Sequence, residues 1–183
     1  MQSSPTEPLS KVHLILLIGL PGSGKSTFAR SLFNARIIST DAIRAQLFGE
    51  EAIQGSWLKI WLEVRSQFDQ AVAAIAQDEI EFAIYDATNA VRKQRRAAIA
   101  LARKCGFTQI TGIWINPSIE ICLERNKARS RIVPEEVIYR MARRLYGAPP
   151  ALEEGLDECI WCDSIQSCQR HLLLQGLIRP SQN

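Results

Sequence analysis

A glycine-rich run near the start of the chain has the residue types and the spacing of a phosphate-binding loop. It matches the pattern Gly-x-x-x-x-Gly-Lys-Ser and reads Gly19-Leu20-Pro21-Gly22-Ser23-Gly24-Lys25-Ser26, followed by Thr27. Glycine lets the backbone take dihedral angles that a side chain would block, so that the N–H groups of the loop can point at phosphate oxygens. In this pattern the lysine contacts the β- and γ-phosphates and the serine hydroxyl binds Mg²⁺. Residues 19–27 are therefore predicted to bind a nucleoside triphosphate together with Mg²⁺.

An acid and a base follow the second apolar run of the chain. Asp41 comes directly after Ser39 and Thr40, and Arg44 is one helical turn further on. Ligands of open α/β sheets bind at the carboxyl ends of the strands, where these two side chains are expected. We predict that Asp41 takes the proton from an acceptor hydroxyl and that Arg44 neutralises charge on a transferred phosphoryl group. The alternative for Asp41 is a plain helix N-cap, and the two roles are compatible.

A second carboxylate ends the third apolar run, which continues as Asp86-Ala87-Thr88-Asn89. If this strand lies beside the first, as in many phosphate-loop kinases, Asp86 is placed to reach Mg²⁺ through water. Thr88 and Asn89 would then face the acceptor as substrate-binding residues. For Asn89 the alternative is capping of the helix that starts near Val91.

Three arginines precede Pro134 and are interpreted as a mobile lid at about residues 125–133. Arg125 and Arg129 are four residues apart, so on a continuing helix they share a face, whereas the place of Arg131 depends on the loop. The planar, permanently charged guanidinium suits phosphate oxygens in a transition state that needs little covalent help from the protein. The alternative is a solvated basic turn.

These side chains require a scaffold, and the pattern of apolar runs predicts one in which strands and helices alternate. Such alternation favours a parallel sheet covered on both faces. The predicted strands are Val12–Ile18, Ala35–Ser39, Glu81–Asp86, Thr108–Asn116 and Glu158–Trp161. The predicted helices are Ser26–Phe33, Asp41–Phe48, Ser56–Gln77, Val91–Cys105, Pro117–Lys127, Pro134–Tyr146 and a last one at about residues 165–178. The order of strand, glycine loop and helix disfavours an accidental Gly-Lys-Ser turn at residues 19–26.

Length and composition predict one domain over residues 11–183, preceded by a flexible polar tail over residues 1–10. The longest apolar runs have the length of strands, and the N-terminal tail has neither a basic start nor an apolar core, so we expect neither a membrane span nor a signal sequence. Five cysteines without a secretion signal predict reduced thiols and a cytoplasmic location. Cys159, Cys162, Cys168 and His171 superficially resemble a zinc set, but buried thiols are preferred, because Cys159 and Cys162 would point to opposite faces of a strand.

The net charge is only +3, yet the positive residues are clustered. No acid occurs from Ala90 through Ile119, a range that contains six lysines and arginines, and further arginines lie in the lid and at residues 140–144. This distribution could form a basic face for a polyanionic substrate, with solvated helix surface as the alternative. In the helix predicted at 56–77, a stripe of apolar residues is interpreted as core, with Trp57 as a possible stacking platform for bases.

The motifs together resemble the phosphate-loop kinase family that includes polynucleotide 5′-hydroxyl kinases, as in the phage enzyme and the kinase module of bacterial RNA-repair proteins. The resemblance spans Leu14 to Leu145 and includes an AAA-type ATP-binding domain. The motifs that carry it are Gly19–Thr27, Ser39-Thr40-Asp41-x-x-Arg44, Asp86-Ala87-Thr88-Asn89, and Arg125-Asn126-x-x-Arg129 with Val133-Pro134. The resemblance implies an adenylate-kinase-like P-loop NTPase fold, with a parallel five-stranded sheet flanked by helices and an Arg-rich lid.

The resemblance also implies roles for individual residues. ATP would be bound by residues 19–27 and Arg129, with the general base at Asp41, transition-state contacts from Arg44 and Arg129, and help from Arg125. The expected reaction transfers the γ-phosphate of ATP to a hydroxyl, most plausibly the 5′-hydroxyl of a polynucleotide. A small-metabolite kinase of the same fold and an ATP-binding regulatory switch stay open as alternatives.

Overall fold

The computed structural model describes residues 11–49, 56–129, 131–174, 176 and 178, and the predicted tail at residues 1–10 lies outside this set. Its centre is a parallel sheet of five strands in the order β2-β3-β1-β4-β5. The strands are β1 (His13–Ile18), β2 (Ala35–Ser39), β3 (Phe82–Asp86), β4 (Gln109–Ile115) and β5 (Glu158–Cys162). The predicted strands are confirmed to within one or two residues at each end.

Seven α-helices of the described residues cover the sheet. They are α1 (Lys25–Arg30), α2 (Thr40–Phe48), α3 (Trp57–Ala76), α4 (Arg92–Cys105), α5 (Ile119–Lys127), α6 (Glu135–Gly147) and α7 (Ile165–Leu174). A short 3-10 helix, Leu152–Glu154, follows α6 and was not predicted. No helix among the described residues is long and apolar enough to cross a bilayer.

The sheet is buried on both faces because each face is packed by different helices. Leu14, Leu16 and Ile18 of β1 point to one face, where they join apolar residues of α3, α4 and α6. Ile15 and Leu17 alternate to the other face and pack with residues of α1 and α7. This explains why β1 has no polar-to-apolar alternation, as expected for a central parallel strand.

The strand order brings the predicted chemical residues to one edge. Strand β3 lies between β1 and β2, and Ser39 pairs in register with Asp86. The carboxyl ends of β1, β2 and β3 therefore carry, side by side, the glycine-rich loop, Asp41 and Asp86. This is the adjacency on which the predicted magnesium role of Asp86 depended.

Two sequence-based interpretations of this scaffold are wrong. Cys162 and Cys168, expected as reduced thiols, form a disulfide that joins the end of β5 to the first turn of α7, with Cα atoms 5.4 Å apart. The turn between β5 and α7 brings together two buried side chains, a contact that strand periodicity alone does not reveal. The described residues contain no group of three or more potential metal ligands.

The second interpretation that fails is the burial of Trp57. The stripe on α3 is core at Val64, Phe68 and Ile75, but Trp57 at the first position of the helix is 49% exposed. Its ring stacks on Trp61 with centroids 5.8 Å apart and an interplanar angle of 26°. Only the part of the stripe over the sheet is covered.

Candidate active site

The glycine-rich loop joins β1 to α1 and requires glycine at several positions. Gly22 and Gly24 have φ angles of 81° and 102°, in the left-handed region that side chains disfavour. Around Gly24 there is little room as well: a Cβ atom there would lie 3.1 Å from Ile165 Cδ1 and 3.8 Å from Arg125 Nη1. The loop is thus a tight backbone cradle, bordered on its outer side by α7 and the end of α5.

Lys25 folds back onto this cradle. Its Nζ atom donates to the carbonyl oxygens of Gly19 and Leu20 at 2.9 and 2.8 Å and to Ser23 Oγ at 3.4 Å. Burial lowers the pKa of Lys25 from 10.5 to about 8, and the nearby positive charge of Arg129 acts in the same direction, whereas the negative charge of Asp86 opposes it. The arrangement holds a cation in a buried site that a phosphate group would stabilise.

Asp86 fits the requirements of a metal-binding carboxylate. It is 7% exposed, and no hydrogen bond or ion pair reaches its carboxylate from the residues described in the structure. Buried carboxylates are ordinarily paired, so an unpaired one at this edge is suited to a cation or its water shell. Ser26, at the second position of α1, is exposed and follows the loop at the carboxyl end of β1, the strand that pairs with β3. The residues present therefore fit Mg²⁺ at Ser26 and Asp86.

Asp41 is held by two arginines through a single oxygen. Arg44 Nη1 lies 2.7 Å and Arg131 Nη1 lies 3.4 Å from Asp41 Oδ1. The other oxygen, Oδ2, has no hydrogen bond to any of the described residues. Ser39 Oγ, not Asp41, caps α2 by accepting from the Ala42 N–H, which removes the plain N-cap alternative. Asp41 thus presents one oriented oxygen at the carboxyl edge of the sheet.

Arg44 is well placed to receive further charge. Its side chain is mostly buried, and its Nε atom is buried without a hydrogen-bond acceptor among the described residues. An unsatisfied buried N–H costs free energy that an incoming anion would recover. This is consistent with the phosphoryl contact expected from sequence.

The lid segment is closed by Asn126, whose importance the sequence did not reveal. The buried Asn126 side chain donates to the Val133 carbonyl at 2.8 Å and accepts from the Val133 N–H at 3.0 Å. The two hydrogen bonds join the end of α5 to the start of α6 and hold the ends of the intervening loop together. Ser130 is outside the described residues. The clamp therefore fixes the base from which Arg131 reaches Asp41.

Arg125 lies in the last turn of α5, and Arg129 lies in the loop that follows it. Arg125 is exposed and its Nη1 atom approaches Gly24, as described above. Arg129 follows α5, is exposed, and has no ion-pair partner among the described residues. Its positive charge nevertheless contributes to the lowered pKa of Lys25. Both arginines border the phosphate cradle, whereas Arg131 is the lid arginine that contacts Asp41.

Thr88 and Asn89 lie beside the cradle, but their polar groups are directed differently. The Thr88 carbonyl accepts from the Gly19 N–H at 3.1 Å. Asn89, with φ of 50°, turns its amide inward and donates to the Leu17 carbonyl at 2.7 Å. It does not cap α4, whose N-cap is Val91. The two residues fasten the loop after β3 to β1 and to the start of the glycine-rich loop.

A buried ion pair between Arg95 and Glu154 contacts the loop after β3, and the sequence did not predict this pair. Arg95 is fully buried and donates Nε to Glu154 Oε2 at 2.7 Å and Nη2 to Glu154 Oε1 at 2.5 Å. Its remaining donors reach the carbonyls of Ala148 at 2.7 Å and Asn89 at 3.2 Å. In the sequence Arg95 looked like one more residue of a basic cluster. The available signal was its helical position, in line with the buried Ala98 and Ile99.

The strand order and the glycine-rich loop at the carboxyl edge of the sheet define the class of protein to which this chain belongs. A five-stranded parallel sheet of order 2-3-1-4-5, with a Gly-x-x-x-x-Gly-Lys-Ser loop after β1, is the fold of the P-loop kinases. The chain matches the AAA domain family over residues 14–148 and belongs to that family.

One protein with a similar sequence and two solved structures with a similar fold can be compared with this chain. The chain is 29% identical over 132 residues to the L-seryl-tRNA(Sec) kinase of Methanococcus maripaludis, a match that covers 70% of this chain and 50% of the relative. A chain of the solved Pnkp1/Rnl/Hen1 complex superposes with a TM-score of 0.55 at 20% identity, covering 71% of this chain and 43% of that one. Kti12 of Chaetomium thermophilum, solved with ADP-AlF3, superposes with a TM-score of 0.56 at 18% identity over 91% of this chain and 100% of Kti12. The chain thus spans about half the length of the first two proteins.

Proposed function

We propose that this protein is an ATP-dependent, Mg²⁺-requiring kinase that transfers the γ-phosphate to the 5′-hydroxyl of a nucleic acid. The observation that carries the proposal is the position of Asp41, a carboxylate held through one oxygen by two arginines at the same sheet edge as the phosphate cradle. A nucleotide-binding switch needs the cradle but has no use for an oriented base beside it. The proposed location is the cytoplasm.

In the proposed mechanism the chain's own residues supply position and charge. The backbone of residues 19–24 and Lys25 would hold the phosphates, and Ser26 and Asp86 would hold Mg²⁺, which would neutralise phosphate charge when bound. Asp41 Oδ2 takes the proton from the acceptor hydroxyl as that oxygen bonds to the γ-phosphorus. The bond from this phosphorus to the β–γ bridging oxygen breaks, and ADP leaves. Arg44, Arg125 and Arg129 stabilise the charge on the transferred group.

The nucleic-acid acceptor is the finer part of the proposal. It is supported by the motif order of residues 19–129, by the similarity to a tRNA-directed kinase, and by the structural likeness to a chain of the Pnkp1/Rnl/Hen1 complex. The exposed Trp57, stacked on Trp61 at the start of α3, offers an aromatic surface on which a base could stack. A small-metabolite acceptor is the alternative outcome of the test below.

The test is transfer from γ-labelled ATP and Mg²⁺ to a panel of 5′-hydroxyl RNA and DNA oligonucleotides, transfer RNA, nucleosides and sugars. Asp41→Asn should keep ATP binding and lower transfer by about 10²-fold or more, because the amide cannot accept the proton. Glu124→Gln, an exposed change on α5, is the matched control and should leave transfer unchanged.

Each result decides between the candidates. Label on an oligonucleotide that disappears in Asp41→Asn supports the proposal. Label confined to a sugar or another small molecule would replace the nucleic-acid acceptor with a metabolite. Tight ATP binding without a labelled acceptor, and with no effect of Asp41→Asn on slow hydrolysis, would contradict a kinase and favour the switch.

A further inference from the structure

Two helices on the same side of the sheet expose positive charge next to the loop after β3. The residues concerned, defined here as the basic ridge, are Arg92, Lys93 and Arg96 of α4 and Arg140, Arg143 and Arg144 of α6, and all six are exposed. On α6 the three arginines are spaced three and four residues apart, so they share one outer face. The ridge residues therefore lie on two helices that pack against the same face of the sheet.

The ridge is left largely without counter-charge. Among the described residues, Arg92 is the member with an acidic partner, Glu154 at 3.4 Å. Of the two acids in the first turn of α6, Glu135 is paired with Lys127, whereas Glu136, one turn before Arg140, forms no ion pair with the described residues and is the acid nearest in sequence to the ridge. Surface cations of one sign that lack internal partners produce a field that attracts polyanions. Solvated helix surface ordinarily mixes both signs, and here five of the six cations are unpaired within the described part of the chain.

Buried contacts connect the ridge to the candidate active site. Arg95 lies between the ridge residues of α4 and bonds to the Ala148 carbonyl just after α6, which brings the first turn of α4 beside the end of α6. The same arginine bonds to the Asn89 carbonyl, and the adjacent Thr88 bonds to Gly19 of the phosphate cradle. The ridge thus begins about one helical turn from the loop that would face the acceptor.

We infer that the basic ridge binds the phosphate backbone of a single nucleic-acid strand whose 5′-end lies at Asp41. The inference rests on the proposed function for the end of the strand, but it concerns contacts beyond the reacting nucleotide. A row of arginines and lysines on two helices suits a partner with evenly spaced negative charges, such as the phosphates of a nucleic-acid strand. Contacts to phosphates position a strand without reading its sequence. The ridge accordingly selects long acceptors over short ones.

The experiment measures binding and kinetics with the same variants. The ridge variant is Lys93→Gln/Arg96→Gln/Arg143→Gln, and the control is Arg30→Gln/Lys59→Gln/Arg170→Gln, which removes the same charge from exposed positions on α1, α3 and α7. Binding of a fluorescent 20-nucleotide RNA is followed by anisotropy between 50 and 300 mM KCl. For single strands the slope of log K against log salt is about 0.7 per phosphate contact, so the ridge variant should lose about 2 from that slope and bind ~10-fold or more weakly.

Kinetics separates this proposal from the proposed function. With a 5′-hydroxyl 20-mer the ridge variant should raise KM with little change in kcat, whereas a 5′-hydroxyl dinucleotide, which offers the ridge a single phosphate, should react nearly equally with both variants. If the wild type phosphorylates neither acceptor, the proposed function fails, and the anisotropy measurement still tests the ridge.

Three results would contradict the proposal that the ridge binds nucleic acid. One is RNA binding that is independent of salt, and a second is an equal loss of affinity in the ridge and control variants. The third is ridge-dependent binding of anionic phospholipid vesicles without binding of RNA, which would assign the surface to a membrane. A ridge-specific loss of RNA affinity with its reduced salt slope would establish it.

Discussion

Arg131 of the lid lies with Nη1 3.4 Å from Asp41 Oδ1, across 90 residues of sequence. The contact joins the lid to the proposed base, so lid position and base orientation are coupled. Arg44 holds the same oxygen from within α2 at 2.7 Å. Because both arginines contact Oδ1, together they fix the orientation of the carboxylate and therefore the direction of its other oxygen, Oδ2.

The Asp41–Arg131 contact predicts a specific kinetic effect. Arg131→Gln removes the lid partner but leaves Arg44, so Asp41 should keep its charge and lose part of its orientation. We expect kcat to fall by about 10-fold with a small change in KM for ATP, because Arg131 does not border the phosphate cradle. Steady-state kinetics checks this, with Arg140→Gln on the exposed face of α6 as the control for charge and a dinucleotide as the acceptor. A purely solvated basic turn would give no difference between Arg131→Gln and wild type.

Lys25 predicts a pH dependence of stability without nucleotide. Burial lowers its pKa from 10.5 to about 8, so between these values the unfolded chain binds more protons than the folded protein, and the free energy of unfolding rises with pH. Keeping the lysine charged below pH 8 costs about 3 kcal/mol, from 1.36 kcal/mol per pKa unit.

Lys25→Met should remove that cost. The free energy of unfolding of Lys25→Met, taken relative to wild type, should be highest at pH 7. It should fall by about 3 kcal/mol between pH 7 and pH 10.5. Urea unfolding at both pH values measures the difference. Lys59→Met, at an exposed position of α3, is the matched control and should show the same difference from wild type at both. A Lys25→Met difference that did not vary with pH would contradict the buried charge.

The sequence was sufficient for the fold because the patterns that set it are local. Glycines at fixed spacing and apolar runs of strand length act over a few residues, and they placed Lys25 and Asp86 correctly relative to their strands. Arg95 and Glu154 are separated by 59 residues, and Asn126 pairs with backbone atoms seven residues away across a loop. Such partners are set by tertiary packing, so an exposed and a buried arginine look alike in the sequence.

The Asn126 clamp predicts that lid geometry depends on one amide. Asn126→Ala loses both hydrogen bonds to Val133 and leaves the half-buried N–H and C=O of Val133 without partners, at a cost of about 2 kcal/mol in unfolding free energy. Because the loop that carries Arg129 and Arg131 is then released, we expect kcat to fall by about 10-fold or more. Glu124→Ala on the exposed side of α5 should change neither quantity. A variant with normal kcat would show that the clamp serves stability alone.

The Arg95–Glu154 pair predicts a large stability effect with a partial rescue. Arg95→Met leaves Glu154 buried without its main partner, which typically costs 3–5 kcal/mol. The double variant Arg95→Met/Glu154→Leu removes both charges and should recover most of that loss. Urea unfolding gives the three values, and Arg96→Met, its exposed neighbour, should stay within about 0.5 kcal/mol of wild type. Equal destabilisation in the single and double variants would mean that the pair contributes through packing and not through charge.

The disulfide between Cys162 and Cys168 predicts a redox effect on nucleotide binding. It closes the turn that carries Ile165, and Ile165 lies against Gly24 of the phosphate cradle. Opening this short loop should lower the unfolding free energy by about 2 kcal/mol and weaken ATP binding several-fold, since Ile165 loses its fixed place. Calorimetric titration of a non-hydrolysable ATP analogue with and without dithiothreitol measures this. Cys162→Ser/Cys168→Ser should bind like the reduced wild type and ignore the reductant, whereas unchanged affinity of the reduced wild type would show that packing alone positions Ile165.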